Sequence, residues 1–104
     1  MVAAATANAA NIKASAGRVY GYSIFNNSTL YPVFVKLYNT AGTPTVGTGV
    51  VQTIGVQAGE SINVEFSAGI TYSTGIGISI TKGITFTDAT AVALSDCVVN
   101  IFYK

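Results

Sequence analysis

Between Ser61 and Phe66 the chain alternates polar and apolar residues without a break: Ile62, Val64 and Phe66 fall on one face, Asn63 and Glu65 on the other. A period of two puts every apolar side chain on one side only in an extended strand with one buried face. The same period recurs along the chain. Val19–Phe25 places Tyr20, Tyr22 and Ile24 together, and Pro32–Tyr38 separates Val33, Val35 and Leu37 from Phe34, Lys36 and Tyr38. Val50–Val56 aligns Gln52, Ile54 and Val56, and Ile70–Thr81 sets Ile76, Ile78 and Ile80 against a face of Gly75, Gly77 and Ser79. That small face either meets water as a flat surface or lets another backbone approach closely. Ile84–Thr87 is a further short run, and Cys97–Tyr103 is apolar on both faces except at Asn100, the profile of a central strand.

Turn chemistry punctuates these runs at Asn26–Thr29, Asn39–Gly49, Ala58–Glu60 and Lys82–Gly83, and Asp88–Asp96 reads as a long loop or one helical turn. No amphipathic helix long enough to pack is present. The pattern predicts an all-β chain, an antiparallel β-sandwich of jelly-roll-like form. Its core is expected to include Tyr22, Ile24, Val35, Leu37, Ile54, Val56, Ile62, Val64, Phe66, Ile76, Ile78 and Val99.

The length, 104 residues, is that of one ordinary domain. Residues 1–16 differ in composition: they are small, Ala-rich and have almost no bulky apolar group. They read as an extended N-terminal arm, ordered if a neighbour holds it and otherwise frayed, and residues 17–104 as the single β-sandwich domain. The arm lacks the basic region and apolar stretch of a secretory signal. No apolar run approaches the ~18 residues of a membrane span, so no membrane partner is expected. The overlapping glycosylation sequons at Asn26 and Asn27 then serve a turn.

Only 9% of residues are charged, against about 25% in an average soluble domain. Lys13, Arg18, Lys36, Lys82 and Lys104 are scattered singly, which argues against a nucleic-acid face. There is no histidine, which removes Ser-His and Cys-His catalysis and imidazole metal sites. Cys97, the one cysteine, excludes an intrachain disulfide and a thiolate zinc site, and its apolar neighbours suit a small buried residue made in a reducing compartment. Four acids remain. Glu60 belongs to a turn, Glu65 alternates outward, and Asp88 and Asp96 flank one loop, the one arrangement that could offer oxygen ligands to calcium. Gly55–Ser61 lacks the lysine of a phosphate loop, and Gly75-Ile76-Gly77 lies within a strand. The expectation is therefore a non-enzyme with no catalytic, cofactor-binding or metal-binding residues and no cofactor. Six tyrosines, Tyr20, Tyr22, Tyr31, Tyr38, Tyr72 and Tyr103, suit sheet packing, wet interfaces or a sugar-binding face.

A sandwich with nine formal charges cannot guard its edge strands with lysines, and a net charge of +1 does little to keep copies apart. Such edges are expected to be covered in a closed oligomer.

The segment Asn11–Gly21, the run Val35–Asn39, Phe66, Ser73–Ile78 and the ending Val98–Tyr103 together resemble small virion proteins of tailed phages and prophages. The resemblance spans nearly all of the chain after residue 10, and the Ala-rich start departs from it. It implies a structural virion protein without catalysis: a capsid decoration (cement) protein, often a homotrimer, made in the host cytoplasm and bound to the major capsid protein on the capsid surface. A tail or fibre component, or a glycan-binding surface module, is the alternative.

Overall fold

The structure, a computed structural model, describes residues 1–85 and 88–104. Seven strands follow one another: β1 (Ala10–Lys13), β2 (Gly17–Asn26), β3 (Val33–Tyr38), β4 (Val50–Val56), β5 (Ser61–Tyr72), β6 (Ile76–Thr81) and β7 (Cys97–Tyr103). They form two antiparallel sheets, β1-β6-β3-β4 and β5-β2-β7, packed face to face as a sandwich. Only β3 and β4 are consecutive strands paired within one sheet; every other connection crosses between sheets. The fold is all-β, as the alternation requires.

The core lies between the sheets. Tyr22, Ile24, Val35, Leu37, Ile54, Val56, Ile76, Ile78 and Val99 are buried there as expected, while Ile62, Val64 and Phe66 are half-buried because β5 is an edge strand. Val19, Val33, Tyr72, Ile80, Val92 and Cys97 complete the core. Val19 replaces Tyr20 on the inner face. Between Val19 and Gly21 the register slips against both β5 and β7, and the extra residue turns Tyr20 outward.

Three readings of the sequence are corrected by the pairing. First, β7 is not central: β2 is its one partner among the named strands, Met1–Ala3 flank just its first half, and Asn100, Phe102 and Tyr103 are exposed. An apolar composition on both faces does not reveal which strands lie alongside. Second, Ile70–Thr81 is not one strand. The chain leaves the three-stranded sheet after Tyr72 and enters the other at Ile76, turning where Asn39 Oδ1 accepts the Thr74 and Gly75 amides. Third, Ile84 and Thr85 lie outside the strands; Phe86 and Thr87, the rest of that expected run, lie outside the described residues.

The N-terminal segment is extended but held by its own chain. Met1 and Val99 exchange backbone hydrogen bonds, and Ala3 donates to Cys97 and accepts from Ser95. Val2 bridges Val98 antiparallel, so Met1–Ala3 flanks the first half of β7. Farther along, Ala7 accepts from Ile80, and Ala10–Lys13 pairs with β6. The segment thus passes from one sheet to the other and clasps that side of the sandwich. Asn8 makes the corner with φ of 54°, a left-handed conformation that asparagine tolerates. Its side chain accepts from the Ala4 amide and donates to the Ala4 and Thr6 carbonyls. Small residues permit this close passage, and Ala3 is buried.

Candidate functional site

The two outer faces of the sandwich differ. On the four-stranded sheet, the chain's own loops lie over the outward residues. The β3–β4 loop covers Gly77, where a side chain would meet Thr40 and Pro44. A side chain at Gly75 would run into the Thr40 carbonyl. The small face is therefore the site of a close backbone approach. Tyr38 shares a 2.7 Å hydrogen bond with Ser79 and accepts from the Gly47 amide. Beside it Lys36, on the strand face opposite Val33, Val35 and Leu37, is fully buried: its Nζ donates to the Thr85 and Asp88 carbonyls at 2.8 and 2.9 Å. Loss of hydration draws its pKa down, an effect that nearby Asp88 partly opposes.

Among the described residues, no loop covers the β5-β2-β7 sheet in this way. Its outward residues form cross-strand rows: Ser61, Phe25 and Val98; Asn63, Ser23 and Asn100; Glu65, Gly21 and Phe102. Glu65 is exposed, as the alternation predicts. Phe25 and Phe102 are 41% and 50% exposed, so aromatic surface here faces solvent.

The edge of this sheet is also open beyond the clasp. Val99 directs its N–H and C=O toward Met1, and Lys104 directs its own toward Arg18 on β2. Hydrogen-bonding direction alternates along a strand, so Ile101 and Tyr103 turn their backbone groups to the free side. That side overlooks a cleft of about 210 Å³ lined by Met1, Ile12, Ile78 and the β7 residues Val99, Asn100, Ile101 and Tyr103. The opening lies between the sheets, where the clasp has already crossed.

The candidate catalytic and metal residues serve local turns. Asp88 accepts from the Gly83 and Thr90 amides, which lowers its pKa together with nearby Lys36. Asp96 accepts from the Ala93 amide and the Tyr31 hydroxyl, and this bond raises the Tyr31 pKa; Lys82 lies 4.2 Å over the Tyr31 ring. Glu60 closes a turn by donating its amide to Gln57. Among the described residues, no three His, Cys, Asp or Glu side chains are grouped as a metal site would need. Cys97 is buried, and desolvation pushes its thiol up to about 11. Asn26, read only as a turn residue, is fully buried and hydrogen-bonds the Tyr31 and Val56 carbonyls. No helix among the described residues is long and apolar enough to cross a membrane.

No family model, curated protein sequence or solved structure matches this chain.

Proposed function

We propose that this chain is a structural protein of a tailed-phage virion: a capsid decoration protein that binds the major capsid protein shell and assembles as a homotrimer, without catalysis or a cofactor. The observation that carries this reading is the unguarded end of β7. Soluble proteins protect exposed strand edges with inward charges, proline or bulges. Ile101–Tyr103 carries neither a charge nor a proline and adjoins a largely apolar cleft, so an added strand would satisfy its backbone and bury the cleft in one step. Near-neutral composition suits assembly driven by apolar burial and backbone pairing, which depends weakly on salt. The number three and the phage origin rest on the sequence resemblance.

The test is occupancy on purified capsids, measured for the wild type and for Ile101→Pro. The substitution removes the outward N–H at an edge position, where proline is tolerated in a strand. Retained circular dichroism with loss of capsid occupancy supports the reading. Undiminished occupancy refutes the edge as the attachment surface, and immunogold label at a fibre tip instead of over the shell refutes the decoration role.

A further inference from the structure

The register break that turns Tyr20 outward also builds a recess. Val19 pairs with Ile70 and Gly21 with Glu65, so residues 66–69 stand opposite Tyr20 alone. Two features hold the Ala68–Gly69 end of this wide bulge. Arg18 donates from its guanidinium to the Ala68 carbonyl at 2.9 Å. Gly69 adopts φ of 73°, and a side chain there would collide with the Tyr20 ring, which therefore lies against bare backbone. Next to the bulge Gly21 is buried, and any Cβ at this position would run into the Val64 carbonyl, so β5 passes close beside it. The result is an open cleft of about 550 Å³ lined by Tyr20, Glu65, Phe66, Ser67 and Phe102.

We propose that this cleft is a binding subsite for a neutral hexopyranoside unit of a glycan. Its size falls in the ~300–1,000 Å³ range of small-ligand sites, and it is open to solvent. The rings of Tyr20 and Phe102 offer apolar faces to the C–H face of a sugar, and Phe66 is backed by Tyr22 at a centroid distance of 5.8 Å. The polar groups are uncommitted. Among the described residues, the Glu65 carboxylate, the Tyr20 hydroxyl, the Ser67 hydroxyl and the amide of neighbouring Asn100 make no hydrogen bond within the chain. Asn63 uses only its Oδ1, for Ser23, leaving its two N–H donors available in the adjacent row. A carboxylate accepting from two vicinal hydroxyls, with amides donating to ring substituents, matches the chemistry of a neutral sugar. Glu65 is the one formal charge in the lining, so it discriminates against uronic and sialic acids.

Phe102 of this lining also belongs to the Ile101–Tyr103 segment of β7, but its side chain lies on the sheet face, whereas pairing at the edge uses the backbone of Ile101 and Tyr103. Sugar binding is read on the free protein without capsids, so the two tests fail separately. Isotope-labelled protein is titrated with chitotriose, cellotriose and maltotriose to ~10 mM, the range in which a single weak subsite is read. A trigalacturonate serves as the anionic comparison. The expected result is saturable amide shifts at Gly21, Glu65, Ser67 and Phe102 with at least one neutral trisaccharide and none with the anionic one. Phe102→Ala and Glu65→Gln, both at exposed positions, are each expected to weaken binding by ~10-fold while leaving amide shifts elsewhere unchanged. No shift with any neutral probe, shifts unaffected by Phe102→Ala, or preference for the anionic probe would overturn the assignment.

Discussion

Replacing Asn26 with alanine is expected to cost more stability than any surface hydrogen-bond deletion in this protein. Asn26 is inaccessible to solvent and joins three parts of the sandwich. Its Nδ2 donates to the Tyr31 and Val56 carbonyls, both at 3.0 Å, and its Oδ1 accepts from the Ser28 amide at 2.9 Å. Truncation leaves these partners without their bonds. Each buried polar group so orphaned costs ~1–3 kcal/mol. Val56 and Ser28 are buried, whereas half-exposed Tyr31 can regain water, so the sum comes to about 3–5 kcal/mol. That is a large part of the ~5–15 kcal/mol that holds a domain of this size together. It corresponds to a fall in Tm of ~12–40 °C at ~4–8 °C per kcal/mol. Denaturant unfolding, with the slope checked for constancy, reads the change directly. Ser23→Ala is the control. The Ser23–Asn63 bond is shorter, at 2.6 Å, but exposed, and its loss should cost less than ~0.5 kcal/mol. If Asn26→Ala falls within ~1 kcal/mol of Ser23→Ala, the reasoning that burial rather than bond length sets the cost is refuted.

Three further expectations follow from particular contacts. Gly75→Ala, whose methyl would strike the Thr40 and Lys13 carbonyls, should cost ~1–3 kcal/mol, whereas Gly42→Ala, with nothing nearby, should be neutral or slightly stabilising in thermal unfolding. The native Cys97 thiol keeps its proton up to about 11, while the unfolded chain loses it from ~8.5. Stability contributed by the neutral thiol is therefore complete below the unfolded value and declines as pH rises through this interval. Cys97→Ala should flatten that alkaline decline in denaturant titrations; an unchanged slope would count against it. Removing Met1–Ala3 should expose the Ser95 and Val99 amides to rapid hydrogen exchange, with Ile24 in β2 still protected, because those amides donate to Ala3 and Met1. Persistent protection at Val99 would show that the clasp is not what covers the edge.

The candidate sites were legible to different degrees. Glu65 was read as outward from alternation alone, and it is. Cys97 was read as a buried small residue from its apolar neighbours, and it is. The roles of Asn26 and Lys36 were not legible. A polar residue at a strand end and a lysine in an alternating run ordinarily face solvent, and only the segments folded over them take them out of water. Asp88 and Asp96 were considered as partners across one loop, yet each is committed to amides of its own turn. The recess beside Tyr20 had no signal at all, because a bulge is a mismatch between two strands and neither strand alone contains it.

Alternation of side chains is a property of single strands, since successive residues of an extended chain point to opposite faces whatever lies beside them. It therefore determined from sequence alone that the chain is all-β, and which face of most strands is apolar. Which strands are central, which edges stay open and where a face is covered depend on pairing between residues far apart in the chain. The Ala-rich start illustrates the difference: its composition announced an extended segment with no core of its own. That it clasps the two sheets through Val99, Cys97 and Ile80 was decided by tertiary structure, because only there do those backbone groups stand within hydrogen-bonding reach.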